Sequence, residues 1–172
     1  MAGYGKYEHS TKRETINIVH QKVTPDAYIE FLSRTDLGKQ YPKERFNERI
    51  TKLVNNTQIS LIAYNTHNEI VAICFGITDF AYWLMITDLG VDRAYVKNGI
   101  GSKLLKIARE EAGGEKDIIV FINANDDAIP FYEKCGLQKS KSMMELSDIE
   151  WTQFEVKKGD TKLTFKESTI LP

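Results

Sequence analysis

Asp88-Leu89-Gly90-Val91, followed after a short break by Val96-Lys97-Asn98-Gly99-Ile100-Gly101-Ser102, is the stretch on which the reading of this chain turns. The first part closes a run, Tyr82–Val91, rich in β-branched and large apolar residues, which predicts a strand. The second opens a pattern in which Ile100, Leu104, Ile107 and Ala108 repeat on one helical face, until Gly113-Gly114 offers a left-handed stop. Strand, glycine-bearing loop and helix therefore follow one another directly. Two glycines clear side chains from the path to backbone N–H groups, and the start of a helix carries partial positive charge. Lys97, Lys103 and, further back, Arg93 add charge of the same sign, so the loop reads as an anion site. It lacks the GKS/T of a Walker loop and the longer dinucleotide glycine pattern.

Working outward, Asp117–Asn123 holds a continuous apolar run and predicts a strand buried on both faces. Ala128–Cys135 predicts a short helix, with Asp127 as its N-cap and Gly136 as its stop. On the other side, Gln58–Tyr64 and Glu69–Thr78 read as strands joined by the turn-rich Asn65-Thr66-His67-Asn68, in which His67 is a solvated loop residue. Thr24-Pro25-Asp26 is a helix start, with a hydroxyl cap, Pro in the first turn and an acid behind it, for a helix over about 25–34. A second helix is expected from near Pro42, with Phe46, Ile50, Leu53 and Val54 on its apolar face. Thr15–Val19 reads as the first strand and residues 1–14 as a flexible arm. Lys139–Leu146 and Glu150–Phe165 are expected to be strands, the latter a hairpin over Lys157–Asp160.

The element order is thus β-α-α-β-β-β-α-β-α-β-β. It predicts one α/β (α+β) domain over 15–172, with a mixed, mostly antiparallel sheet of about seven strands flanked by about four helices.

Lys plus Arg is 23 and Asp plus Glu is 24, a net charge of −1. That balance argues against a nucleic-acid partner held by phosphate attraction and offers no polybasic membrane anchor. Apolar residues make up 42% of the 172, enough for a packed core. No run approaches the ~18 residues of a membrane span, and Met1–Thr15 is polar, so a cytoplasmic protein is expected. Cys74 and Cys135 have no CxxC spacing and read as reduced thiols, and no His/Cys/acid cluster has metal-ligand spacing.

One further segment specifies chemistry: Asn125-Asp126-Asp127-Ala128-Ile129-Pro130-Phe131-Tyr132-Glu133-Lys134-Cys135-Gly136-Leu137. It resembles the N-x-x-A-x-x-F-Y-x-K-x-G-F/L signature of the GNAT superfamily of acetyl-CoA-dependent N-acetyltransferases. The Asp-Leu-Gly-Val strand end and the Asn-Gly-Ile-Gly-Ser loop precede it in the family's order and at its separation.

The resemblance implies a GNAT-like fold and acetyl-CoA as acetyl donor. It implies that the backbone of Leu89, Gly90 and Val91 lies beside the pantetheine and the acetyl carbonyl. The N–H groups of Lys97, Asn98, Gly99, Ile100, Gly101 and Ser102 would hold the pyrophosphate, and Asn125 would bond the pantetheine arm. Tyr132 would be the general acid for the leaving thiolate, a role suited to a phenol that is neutral at pH 7. Val96 stands where the family usually has Arg or Gln. Met85 and Thr87 stand where it has a strand base, which leaves Asp79 and Asp88 as the nearest carboxylates, Asp88 on the face opposite Thr87 by alternation.

The expected reaction is direct acetyl transfer to a primary amine, a small-molecule acceptor being favoured. The alternatives are a protein N-terminus or lysine as acceptor, and an acyl-CoA-binding regulatory module. A homodimer is left open, and Trp151, Phe154 and Phe165 are candidates to cover an acceptor pocket, form a subunit contact or pack in the core.

Overall fold

The computed structural model describes residues 5–114, 116–147 and 150–160. A single six-stranded sheet runs in chain order, β1 (Lys6–Ser10), β2 (Thr15–His20), β3 (Ile59–Tyr64), β4 (Ile70–Thr78), β5 (Trp83–Val91) and β6 (Ile119–Ile122). Every neighbouring pair is antiparallel except β5 and β6, which are parallel. That parallel step is what the crossover helix α3 (Ile100–Ala112) requires. With α1 (Pro25–Leu32), α2 (Phe46–Asn56) and α4 (Ile129–Lys134), four α-helices flank the sheet among the described residues. The mixed, mostly antiparallel architecture is as expected, with six strands in place of about seven.

Two apolar layers hold it. On one face, α3 contributes Ile100, Leu104, Ile107 and Ala108 to a core shared with Ile16, Leu61, Cys74, Leu84 and Ile86. On the other, Tyr28, Phe31 and Leu32 of α1 and Phe46, Ile50 and Val54 of α2 pack on Ile62, Ile73 and Phe75. Each fully buried side chain of this kind contributes about 1.5–3 kcal/mol, so the sheet is fixed from both sides. No helix among the described residues is long and apolar enough to cross a membrane.

Local signals act as written. Thr24 accepts from the Ala27 N–H at 3.3 Å and caps α1. Asn65 Oδ1 accepts from the N–H groups of His67 and Glu69 and builds the β3–β4 turn. Gly113 and Gly114 both take positive φ at the end of α3.

Other expectations are corrected. Residues 6–10 are not a flexible arm but the edge strand β1, paired with β2 over Lys6–Ser10 and fastened to α3 where the Tyr7 hydroxyl donates to Glu111 at 3.2 Å. Residues 1–4 lie outside the described residues. Helix α2 starts at Phe46 rather than near Pro42, because Pro42 and Lys43 are taken up by contacts with Gln153 and Thr152. Asp127 does not cap α4. It lies inside a 3₁₀ turn, Asp126–Ala128, whose N-cap is Asn125, and Ala128 precedes α4 with no side-chain cap. Strand β6 is half-exposed rather than buried on both faces, Ile119 being 52% accessible, because it is the last strand of the sheet among the described residues.

Residues 139–147 form no strand, and neither do 150–160 beyond one bridge, Pro42 to Gln153. The rest of the expected final hairpin, from residue 161, lies outside the described residues. The stretch 150–160 instead lies across α2 and the loop before it. Phe154 meets Phe46 edge to face at 4.9 Å, Arg49 stacks on Trp151 at 4.1 Å, and the Val156 N–H donates to the Gly38 carbonyl at 3.1 Å. Phe154→Ala is expected to lower unfolding stability by about 2 kcal/mol, below the range for a fully buried ring. Urea unfolding monitored by circular dichroism checks this, and an unchanged midpoint would mean the segment is not docked in solution.

Candidate active site

The site is organised by one irregularity in β5. Phe75 pairs with Asp88 but Gly76 pairs with Ile86, so Thr87 is an extra residue bulged out of the ladder. Before the bulge, Leu84 and Ile86 face the α3 core. After it, Leu89 and Val91 do so, and Asp88 and Gly90 turn toward α1 and the loop after it. The bulge also ends the contact with β6, since pairing runs only from Trp83–Ile119 to Ile86–Ile122.

Beyond that point the β5 edge is free among the described strands. The Asp92 N–H donates to the Val71 carbonyl at 2.8 Å, which marks 71–92 as a hydrogen-bonded pair. Antiparallel alternation then makes 73–90 another such pair, and turns the N–H and C=O groups of Leu89 and Val91 outward to the open edge. Of the three residues expected to supply backbone here, Leu89 and Val91 present free edge groups, whereas Gly90 is engaged with Ile73.

The glycine loop stands at the end of this edge. Lys97 and Gly99 both have left-handed backbone, φ 63° and 76°. This tight reversal brings the chain into α3 with Gly99 as an N-cap that has no side chain to offer. The first intrahelical bond is Lys103 N–H to Gly99 C=O, so the N–H groups of Ile100, Gly101 and Ser102 have no acceptor within the helix. Gly101 sits in a close contact. A Cβ there would lie 3.2 Å from the Phe131 ring and 3.6 Å from Val91 Cγ2, so the absent side chain lets the loop, β5 and α4 meet. Lys97 is exposed beside the loop. Arg93 does not serve the anion site: its guanidinium donates to Asp36 and to the carbonyls of Ser33 and Thr35.

Tyr132, on α4, is 9% accessible and packs in the α3-side core, edge to face with Phe131 at 4.9 Å. Burial, first, and the neighbouring Cys74 push its phenol above the ordinary range, so it stays protonated throughout physiological pH. Cys74 is the cross-strand neighbour of Leu89, which places the phenol near the open edge. Ser102 and Tyr132, with Ala124, Ile129 and Cys135, also line an open cavity of about 1270 Å³ along β6. Leu89, Gly90, Val91 and Asn125 do not line it, and Asn125 is exposed at the 3₁₀ turn.

The two nearby carboxylates have structural partners. Asp79 Oδ1 accepts from the N–H groups of Ala81, Tyr82 and Trp83, which hold its pKa below the usual carboxylate value, and it caps the turn at the far end of β5. Asp88 is buried. Its Oδ1 accepts from Tyr41 and, at 3.4 Å, from Tyr28, the two hydroxyls lying 2.5 Å apart, while Oδ2 has no partner.

Two parts of the site escaped sequence reasoning. The first is this Asp88–Tyr41–Tyr28 cluster, which joins residues distant in sequence. The second is His9, whose Nε2 lies 2.7 Å from the Asn98 carbonyl. The alternation of Lys6-Tyr7-Glu8-His9-Ser10 was the signal that could have found it, exposed and half-buried residues alternating along β1.

Comparison with known proteins follows the same lines. The chain matches the model of the Acetyltransferase (GNAT) family over residues 26–137. No curated protein sequence matches. Among solved structures, a protein of unknown function and probable acetyltransferase from meticillin-resistant Staphylococcus aureus superposes with a TM-score of 0.63 at 17% identity, covering 79% of this chain and 99% of its own. A GNAT-family acetyltransferase from Streptococcus pneumoniae TIGR4 gives 0.59 at 16%, covering 78% and 99%. Glucosamine-6-phosphate N-acetyltransferase from Arabidopsis thaliana gives 0.54 at 17%, covering 79% and 100%.

Burial raises the Asp88 pKa, outweighing the hydroxyls of Tyr41, Thr87 and Tyr28, which lower it. Between the unfolded and the folded pKa the folded state therefore keeps a proton that the unfolded chain releases. Stability associated with this group is full below the unfolded carboxylate pKa and is lost as pH rises through the folded one. Asp88→Asn cannot ionise and is expected to flatten that decline. Melting temperatures of both proteins from pH 4 to 8 check this, and parallel curves would contradict it. The bulged strand with its free edge, the glycine-capped helix and the buried phenol all fall within the matched region, and the chain belongs to the GNAT acetyltransferase family.

Proposed function

We propose that the protein transfers an acetyl group from acetyl-CoA to a primary amine, by direct attack in a ternary complex. The observation that carries this reading is the free edge of Leu89 and Val91 beside the unsatisfied N–H groups at the start of α3. An extended pantetheine arm would pair with that edge as an added strand does. The N–H groups from Gly99 to Ser102, with Lys97 alongside, would receive the pyrophosphate, and Asn125 would bond the pantetheine arm.

The chain's own residues divide the chemistry. Leu89 and Val91 orient the thioester along the strand. As the amine nitrogen attacks the carbonyl carbon, the Val91 N–H stabilises the oxygen that gains negative charge. When the C–S bond breaks, Tyr132 donates its proton to the leaving sulfur. Burial favours this direction, because a phenol held neutral is a ready donor. The acceptor ammonium loses one proton to water before it attacks, and the second, released from nitrogen as the amide forms, returns through water to the Tyr132 oxygen and restores the phenol. Asp79 is committed to a turn and Asp88 to two tyrosines, so neither is assigned as base. A small-molecule amine remains the favoured acceptor.

Acetyl-CoA at 100 times its dissociation constant is expected to stabilise the protein by about 2.7 kcal/mol, read as a raised melting temperature. Free CoA should act likewise and ATP little. No shift with either CoA species would overturn the cofactor assignment. With an amine found by thiol release, Tyr132→Phe should lower turnover about 100-fold and change acetyl-CoA affinity less than twofold. Equal turnover would remove Tyr132 from the mechanism.

A further inference from the structure

Val96 leaves the glycine loop without the side chain expected at its entrance, and Arg93 is spent elsewhere. The loop instead receives a side chain from the far edge of the sheet. His9 of β1 places Nε2 2.7 Å from the Asn98 carbonyl oxygen, and its ring lies 3.5 Å from where a Gly99 Cβ would stand. A carbonyl oxygen can only accept, so Nε2 carries the proton in this contact.

The consequence lies across the next bond. The 98–99 peptide is planar and trans, so its C=O and N–H point in opposite directions. Holding the Asn98 carbonyl toward β1 therefore holds the Gly99 N–H away from it. A left-handed Gly99 is free to rotate this plane, as glycine has no Cβ to restrain it. Asn98 itself does not fix its carbonyl, because its side-chain amide is turned back onto the carbonyls of Tyr95 and Val96. His9 is the side chain that does.

Resting on the acetyl-CoA reading above, we propose that His9 is a positioning residue for the cofactor. By anchoring the Asn98 carbonyl it orients the Gly99 N–H into the pyrophosphate cradle. The edge strand β1 is thereby part of the binding apparatus and not only a cover for β2. The effect is confined to the phosphates, since the Leu89–Val91 edge that would pair with pantetheine is built by β4 and β5 alone.

Binding of CoA and of pantetheine, which has the arm without the pyrophosphate, separates this role from a structural one. His9→Phe fills the space without a donor and is expected to weaken CoA about tenfold, a loss typical of a hydrogen bond that serves a charged ligand. Pantetheine binding should stay within twofold. His9→Gln restores an N–H donor and should return CoA affinity to within about twofold of wild type. His9→Phe with wild-type CoA affinity, equal loss for both ligands, or failure of Gln to rescue would each overturn the proposal. Should the Phe variant not fold, His9→Ala takes its place in the same comparison. Failure of the wild-type protein to bind CoA would be a different result, which removes the acetyl-CoA reading itself.

Discussion

The extra residue at Thr87 is the constraint on which the arrangement depends. A regular β5 would continue its pairing and keep even-numbered residues on the α3 face. The bulge instead turns Leu89 and Val91 to that face, and pairing between β5 and β6 ceases after Ile86 and Ile122. The sheet thus exposes a short length of unpaired backbone in its own interior. An exposed edge is ordinarily a liability in a sheet. Here it sits between a helix start with unsatisfied N–H groups and a buried phenol, so that β5, α3 and α4, with β6 between the last two, bring free edge, free amides and phenol together.

The opposite face of β5 shows what the bulge costs. It directs Asp88 into an apolar layer, where the carboxylate is held by Tyr28 and Tyr41 and keeps one oxygen without a partner. Those tyrosines bind α1 and the loop before α2 to the strand, and the stretch 150–157 fastens the same loop from outside through Pro42, Lys43 and Gly38. The strand that would hold the cofactor is therefore braced on the face toward α1 and α2 by segments remote in sequence. A displacement of the 38–46 loop would be felt at Asp88 and at Gly90, against which Leu37 packs.

The parts of this fold legible in the sequence are those specified locally. The Thr24 cap, the Asn65 turn, the Gly113-Gly114 stop and the periodicity of α3 each act within a few residues. The Asn-Gly-Ile-Gly-Ser loop was legible as a glycine-bearing turn into a helix, and the Phe-Tyr pair through its resemblance to the family signature. What escaped depended on distant partners. Strand β1 is five residues long and becomes a strand by lying on β2. The Asp127 cap was superseded by a 3₁₀ turn that begins at Asn125. The 150–160 stretch is rich in strand-forming residues, yet its apolar side chains pack on α2 instead of joining the sheet. His9 and Asp88 take part through residues 89 and 47 positions away, which no spacing rule could connect.

On this reading the open edge of β5 and the start of α3 would receive one extended ligand. Residue-resolved amide hydrogen exchange, measured with and without saturating acetyl-CoA, tests it most directly. Exchange should slow at Leu89 and Val91 and from Gly99 to Ser102. Gly90, already bonded across to Ile73, should change little. Unaltered exchange at Leu89 and Val91 under saturation, or protection at Gly90 equal to theirs, would contradict it.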